Sequence, residues 1–156
     1  DGQHSPASIP ALLAAASSRP LAIVVGARDF TVPNVPGASK FGRNFSNFWV
    51  RAETGVDVAD SQSGLRVYPV DATLALGVSP SRFEFEVEVL VRGSWAGIEI
   101  VDVPIVAIYP PKERRVSHYR GFADSALISL LHFRLFPLSL LGRLRPRRAL
   151  LLRDGR

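Results

Sequence analysis

The residues best equipped for chemistry lie in Asp60-Ser61-Gln62-Ser63-Gly64-Leu65-Arg66-Val67-Tyr68-Pro69. Arg66 carries a planar fork of donors suited to a phosphate. Gly64 lets the backbone take φ > 0 or approach a ligand closely. The same stretch also reads as a polar turn entering a strand, with Arg66 a surface partner of Asp60. Other candidates are spread along the chain. Gly26-Ala27-Arg28 ends an apolar run. Arg43 and Ser46 share a polar helical face with Asn44 and Asn47. Glu86 and Glu88 sit in an alternating segment, and Ser117 and His118 lie in a basic loop. Asp1 and Gln3 stand near the start of the sequence.

The elements that must hold these residues follow from pattern. Ser5 and Pro6 open a helix over Ile9–Ala16. Leu21–Gly26 is a continuous apolar run, a strand buried on both faces, and its end is where ligands of α/β sheets bind. Residues 31–39 form a Pro- and Gly-rich loop. Lys40–Thr54 reads as a helix with Phe41, Phe45, Phe48 and Trp49 on one side, most simply for core packing, and Gly55 as its cap. A short helix is expected over Asp71–Gly77.

Phe83–Val89 alternates like a strand, but the window to Trp95 fits a helix better, and helix is the choice made. Glu84, Glu88 and Arg92 then form a solvated i, i+4 row, Glu88 being either Arg92's partner or functional. Glu86 has Val89 and Leu90 at i+3 and i+4, so desolvation should raise its pKa. Ile98–Tyr109 is a second strand, and Pro104 places it at an edge or a bulge.

Composition narrows the classes. With 156 residues the chain fits one domain able to bury roughly 70% of its unfolded surface. Without cysteine it makes no disulfide and no thiolate metal site. It also has no methionine and no basic-then-apolar leader, so its true start is expected upstream. Residues 1–111 carry 8 Lys+Arg against 11 Asp+Glu, net −3, whereas residues 112–156 carry 11 against 3, net +8. Those basic residues sit beside Leu and Phe, which favours an anionic membrane surface over nucleic acid. Ala123–Leu141 is apolar, but His132, Arg134 and Pro137 interrupt it. Spanning a bilayer takes roughly 20 clean apolar residues. The segment therefore reads as an interfacial amphipathic helix, with His132 structural or interfacial.

Taken together, these pieces resemble family 2 glycosyltransferases of the polyprenol-phosphate (dolichol-phosphate) mannosyltransferase type. Asp60–Tyr68 is similar to that family's Asp-x-x-Ser-Gly-Phe-Arg-x-Tyr signature, with Leu65 where Phe is usual. Asp1-Gly2-Gln3-His4 resembles the second half of its Asp-x-Asp-x-Gln motif. Gly26-Ala27-Arg28, the aromatic helix, Phe85–Glu88, Val103-Pro104-Ile105 and Arg115–His118 fall in the same order over residues 1–136.

The resemblance implies an α/β fold, the partial GT-A fold of nucleotide-sugar glycosyltransferases, with a mixed sheet and flanking helices. Residues 1–121 would be the C-terminal portion of the catalytic domain, without the half that binds the nucleotide. Residues 122–156 would form the membrane-associated helix and tail. It implies inverting transfer from a nucleotide-sugar donor to a lipid-phosphate acceptor at the cytoplasmic membrane face. In that scheme Arg66 touches a phosphate, Glu86 or Glu88 serves as base for a hydroxyl acceptor, and Asp1 and Gln3 hold the divalent cation. Arg28, Arg43 and Ser46 stand at the acceptor entrance, Asp60 and Gly64 form a site wall, and Ser117 and His118 close over it, His118 otherwise being an ordinary loop histidine. The rival expectation is a catalytically inactive, membrane-associated fragment with a binding role or none.

Overall fold

The computed structural model describes residues 4–78, 83–109 and 121–143. Asp1, Gln3, Ser117 and His118 lie outside the described residues. A single 3₁₀ turn at Pro6–Ser8 leads into α1 (Ile9–Ser18), followed by β1 (Ile23–Arg28), α2 (Gly37–Thr54), β2 (Arg66–Val67), α3 (Val70–Ala75), α4 (Glu84–Ala96), β3 (Ile100–Ile105) and α5 (Gly121–Arg143). The result is a mixed α/β fold.

The sheet has the order β2-β1-β3, with β1 antiparallel to β2 and parallel to β3. Side chains alternate across a strand, so β1 feeds two cores. Val24 joins Leu12 of α1 and Ile105 on one face. Ile23 and Val25 join Val50 of α2, Val87, Leu90 and Val91 of α4, and Leu131 and Leu135 of α5 on the other. Helices on both faces explain why β1 reads as an unbroken apolar run. Pro104 falls in β3, whose outer side has no strand partner among the described residues, which is where a missing N–H is tolerated.

Two glycines are fixed by close approach. A Cβ on Gly26 would stand 2.9 Å from Leu65 O and from Ile105 Cδ1, so Gly26 serves the sheet interior. A Cβ on Gly93 would meet Ile23 Cδ1 at 2.9 Å, and the glycine lets α4 lie against the sheet. Gly55, at φ 76°, caps α2 as its sequence position predicts.

The helix over Glu84–Ala96 forms, but its Glu84–Glu88–Arg92 row is not simply solvated. Glu88 is buried, because α5 covers it and brings Arg134 Nη2 to 3.4 Å, alongside Arg92 Nε at 2.6 Å. Likewise α5 contributes Ile128, Leu131 and Leu135 to the buried interior. Among the described residues no helix is long and apolar enough to cross a membrane.

Candidate functional site

The parallel strands β1 and β3 end side by side, Arg28 opposite Ile105. Arg28 turns onto Asp60, with Nε donating to Oδ2 at 2.6 Å and Nη2 to Oδ1 at 2.9 Å. Asp60 is fully buried, and the Arg28 side chain is 16% exposed. Burial pulls the Arg28 pKa down, but the hydrogen bond and charge of Asp60 outweigh it and hold the guanidinium above its ordinary value. Asp60 therefore pairs with Arg28 and not with Arg66, its sequence neighbour.

The loop from Asp57 to Leu65 is pinned from several elements. Asn47 Nδ2 donates to Ala59 O, and Ser61 N–H donates to Asn47 Oδ1. Ser61 Oγ and Ser46 Oγ are 2.9 Å apart. Asp102 Oδ2 of β3 accepts from Ala59 N–H at 2.8 Å. Burial raises the Asp102 pKa, with that hydrogen bond acting against it. Ser46, expected at the acceptor entrance, is buried and engaged with Ser61.

Arg66, expected at a phosphate, is engaged within the chain. Its side chain is fully buried, and its donors go to three carbonyls: Nε to Ser63 O at 2.7 Å, Nη1 to Glu86 O at 2.6 Å and Nη2 to Ser61 O at 2.8 Å. A guanidinium so engaged holds the loop to α4, with three of its five N–H donors spent inside the chain. Glu86 Oε2 lies 3.3 Å from Arg66 Nε. Desolvation raises the Glu86 pKa against the lowering effect of Arg66, in the direction its apolar neighbours predict. Gly64 is exposed and does not have a positive φ, and a Cβ there would meet only Glu86 Oε1 at 3.8 Å. Glu88, held by two arginines, is separate from this group.

Arg43 is differently placed. Its guanidinium sits over the Phe30 ring at 4.3 Å from the centroid, and Arg28 sits over the same ring at 5.0 Å. Among the described residues its only hydrogen-bond partner is the neighbouring Asn44 Oδ1, and it makes no ion pair. The Tyr109 ring lies tilted against Phe30 at 6.4 Å. Burial raises the Tyr109 pKa, with Arg28 opposing, so the phenol stays protonated. His4 bridges to Ala107, and its pKa is lowered by burial and then by Arg28.

The structure therefore gathers Arg28, Arg43 and Asp60 at the carboxyl end of the parallel pair. It leaves Arg66 and Glu86 one loop away and Glu88 under α5. Phe30, Tyr109, His4 and Asp102 were not anticipated. Tyr109 had one signal, a polar-tipped aromatic closing an apolar strand. No group of three or more His, Asp or Glu that could hold a metal occurs among the described residues, and Asp1 and Gln3 lie outside them.

No family model matches the chain, and no solved structure matches it. Curated proteins do. Undecaprenyl-phosphate mannosyltransferase of Micrococcus luteus is 29% identical over 114 residues, which cover 69% of this chain and 46% of that protein. An uncharacterized protein of Methanocaldococcus jannaschii is 27% identical over 114 residues, covering 70% and 47%. The chain spans about half the length of the curated relatives it matches. This likeness points to a glycosyltransferase.

Proposed function

We propose that the chain is part of an inverting, family 2 glycosyltransferase with a GT-A fold, transferring a sugar from a nucleotide-sugar to a polyprenyl phosphate at the membrane. The observation that carries this is Arg43, seated on Phe30 beside the Arg28–Asp60 pair with no carboxylate of its own among the described residues. A guanidinium in that position is available to an anion from outside. A phosphate acceptor is already ionised near neutral pH, so the reaction needs charge positioning more than a strong base. Were the acceptor a hydroxyl, Glu86 with its raised pKa would be the better base, since Glu88 is committed to Arg92 and Arg134.

In this reading Arg66 and Asp60 are positioning residues for the loop. A divalent cation, Mg²⁺ or Mn²⁺, would be held by Asp1 and Gln3 and would neutralise the donor diphosphate. By the resemblance, Ser117 and His118 would lie in a loop closing over the site. The outer face of α5 exposes Leu130, Phe133 and Leu141, and α2 exposes Phe41 and Phe48. With the net +8 of residues 112–156, these make a surface for peripheral binding at an anionic, cytoplasmic membrane face. Binding without transfer is the second reading.

The test is co-sedimentation with zwitterionic vesicles doped with polyprenyl phosphate. Retention that needs the polyprenyl phosphate and drops in Arg43→Gln is expected. Retention indifferent to both would count against an acceptor site at Arg43.

A further inference from the structure

Beyond the arginines, one group at the end of β3 has no internal use. The Tyr109 hydroxyl is buried and has no hydrogen-bond partner among the described residues. Buried polar groups in folded proteins are almost always satisfied, and an orphan asks for a partner from outside the chain. The charges acting on this phenol are Arg28, Asp60, Arg43 and Asp29. Its ring, both guanidiniums and the Phe30 ring form one connected group, with Phe30 as the common platform. Arg28 spends Nε and Nη2 on Asp60, and Nη1 makes no hydrogen bond among the described residues. A second buried orphan, His4 Nε2, belongs to a residue that Arg28 and Asp60 also influence.

A neutral phenol beside two guanidiniums matches an oxyanion with several acceptor oxygens. The cations supply charge and the O–H supplies a directed donor. We propose that Tyr109 is a ligand-contacting residue whose hydroxyl donates to an oxygen of a phosphate monoester held between Arg28 and Arg43. This rests on the acceptor reading above and adds a recognition residue to it. The Tyr109 O–H makes its bond only when the phosphate is seated, so it contributes to phosphate affinity and not to the empty fold.

The experiment is calorimetric titration of a short-chain prenyl monophosphate, and separately of a nucleoside diphosphate, into the 156-residue chain and its Tyr109→Phe and Arg43→Gln variants. Tyr109→Phe keeps the ring on Phe30 and removes one oxygen. The expected result is roughly 10-fold weaker binding of the prenyl monophosphate. The ligand-free Tm should be unchanged or slightly higher, because a buried unpaired hydroxyl is gone. Wild-type affinity in Tyr109→Phe, with binding lost in Arg43→Gln, overturns the role of Tyr109 and leaves the arginine site standing. Equal affinity in wild type and Arg43→Gln overturns the acceptor reading itself. A lower ligand-free Tm in Tyr109→Phe overturns the proposal, since the hydroxyl would then be bonded internally. Weakening confined to the nucleoside diphosphate overturns the assignment to the acceptor.

Discussion

Arg28 and Asp60, 32 residues apart in sequence, form a two-pronged ion pair that ties the end of β1 to the loop after α2. The carboxylate is wholly buried and its hydrogen-bond donors come from Arg28, including the Arg28 backbone N–H at 3.3 Å. Removing one side of such a pair strands the other charge. Asp60→Ala should cost about 3 kcal/mol of unfolding free energy, read from urea denaturation. A cost under about 0.5 kcal/mol, the scale of an exposed pair, would show that the pair does not hold the loop.

Arg66 gives a contrast between structural and chemical roles. Arg66→Ala leaves three carbonyls without their donor, and a loss of about 3 kcal/mol or more is expected. Urea unfolding and circular dichroism should show the loss before any ligand is added. A variant as stable as wild type but impaired only in phosphate binding would restore Arg66 as a direct phosphate contact.

Glu86 sets a pH dependence with a definite sign. Its folded pKa is raised above 4.5, so between that value and the folded pKa the folded state holds a proton that the unfolded chain has released. Its contribution to stability is present below about pH 4.5 and is lost as pH rises through the raised pKa. Glu86→Gln should therefore gain on wild type as pH goes from 4.5 to 7, measured by urea midpoints. A difference that is flat, or that moves toward wild type, would place Glu86 as a stabilising partner of Arg66.

His132 and Glu53 form a buried contact, Nδ1 to Oε1 at 3.0 Å, with the Trp49 ring stacked on the imidazole at 5.7 Å. His132→Ala removes the buried side-chain partner of Glu53 and the ring stacked on Trp49, at a cost of about 3 kcal/mol. Faster amide exchange along α5 and a shifted Trp emission are the readouts. Unchanged exchange would mean that α5 is held by Leu131 and Leu135 alone.

The proposed membrane contact would fall on side chains that the core does not use. Phe133, 79% exposed, can carry a charge without disturbing the fold. Phe133→Glu should lower retention on anionic vesicles several-fold while leaving the Tm unchanged. Deleting α5 would be a poor test, because it also removes Leu131 and Leu135 from the core. Retention equal to wild type would remove α5 from the interface.

The sequence was legible where a pattern depends on near neighbours. β1, α2 with its Gly55 stop, α4 over the rival strand and β3 with its edge proline all follow from short continuous runs of sequence. What it hid were partners chosen across the chain. Asp60 reads as a partner for Arg66, six residues on, and the structure pairs it with Arg28. Arg66 carried the donors of a phosphate ligand, but closure of the loop turned them onto Ser61, Ser63 and Glu86. Glu88 read as solvated until α5, 46 residues later, covered it, and His132 found Glu53 79 residues away. Periodicity records which face is apolar and says nothing of which distant element will arrive there.

The central claim is that the guanidinium of Arg43 serves a polyprenyl-phosphate acceptor in sugar transfer. It is tested by following lipid-linked sugar formed by membranes expressing the full reading frame that encodes this chain, supplied with nucleotide-sugars and polyprenyl phosphate. A lipid-linked product that falls roughly 10- to 100-fold in Arg43→Gln, with the protein folded and membrane-bound, is the predicted result. Absence of any such product from the wild-type protein, or one formed equally well by Arg43→Gln, would contradict the account.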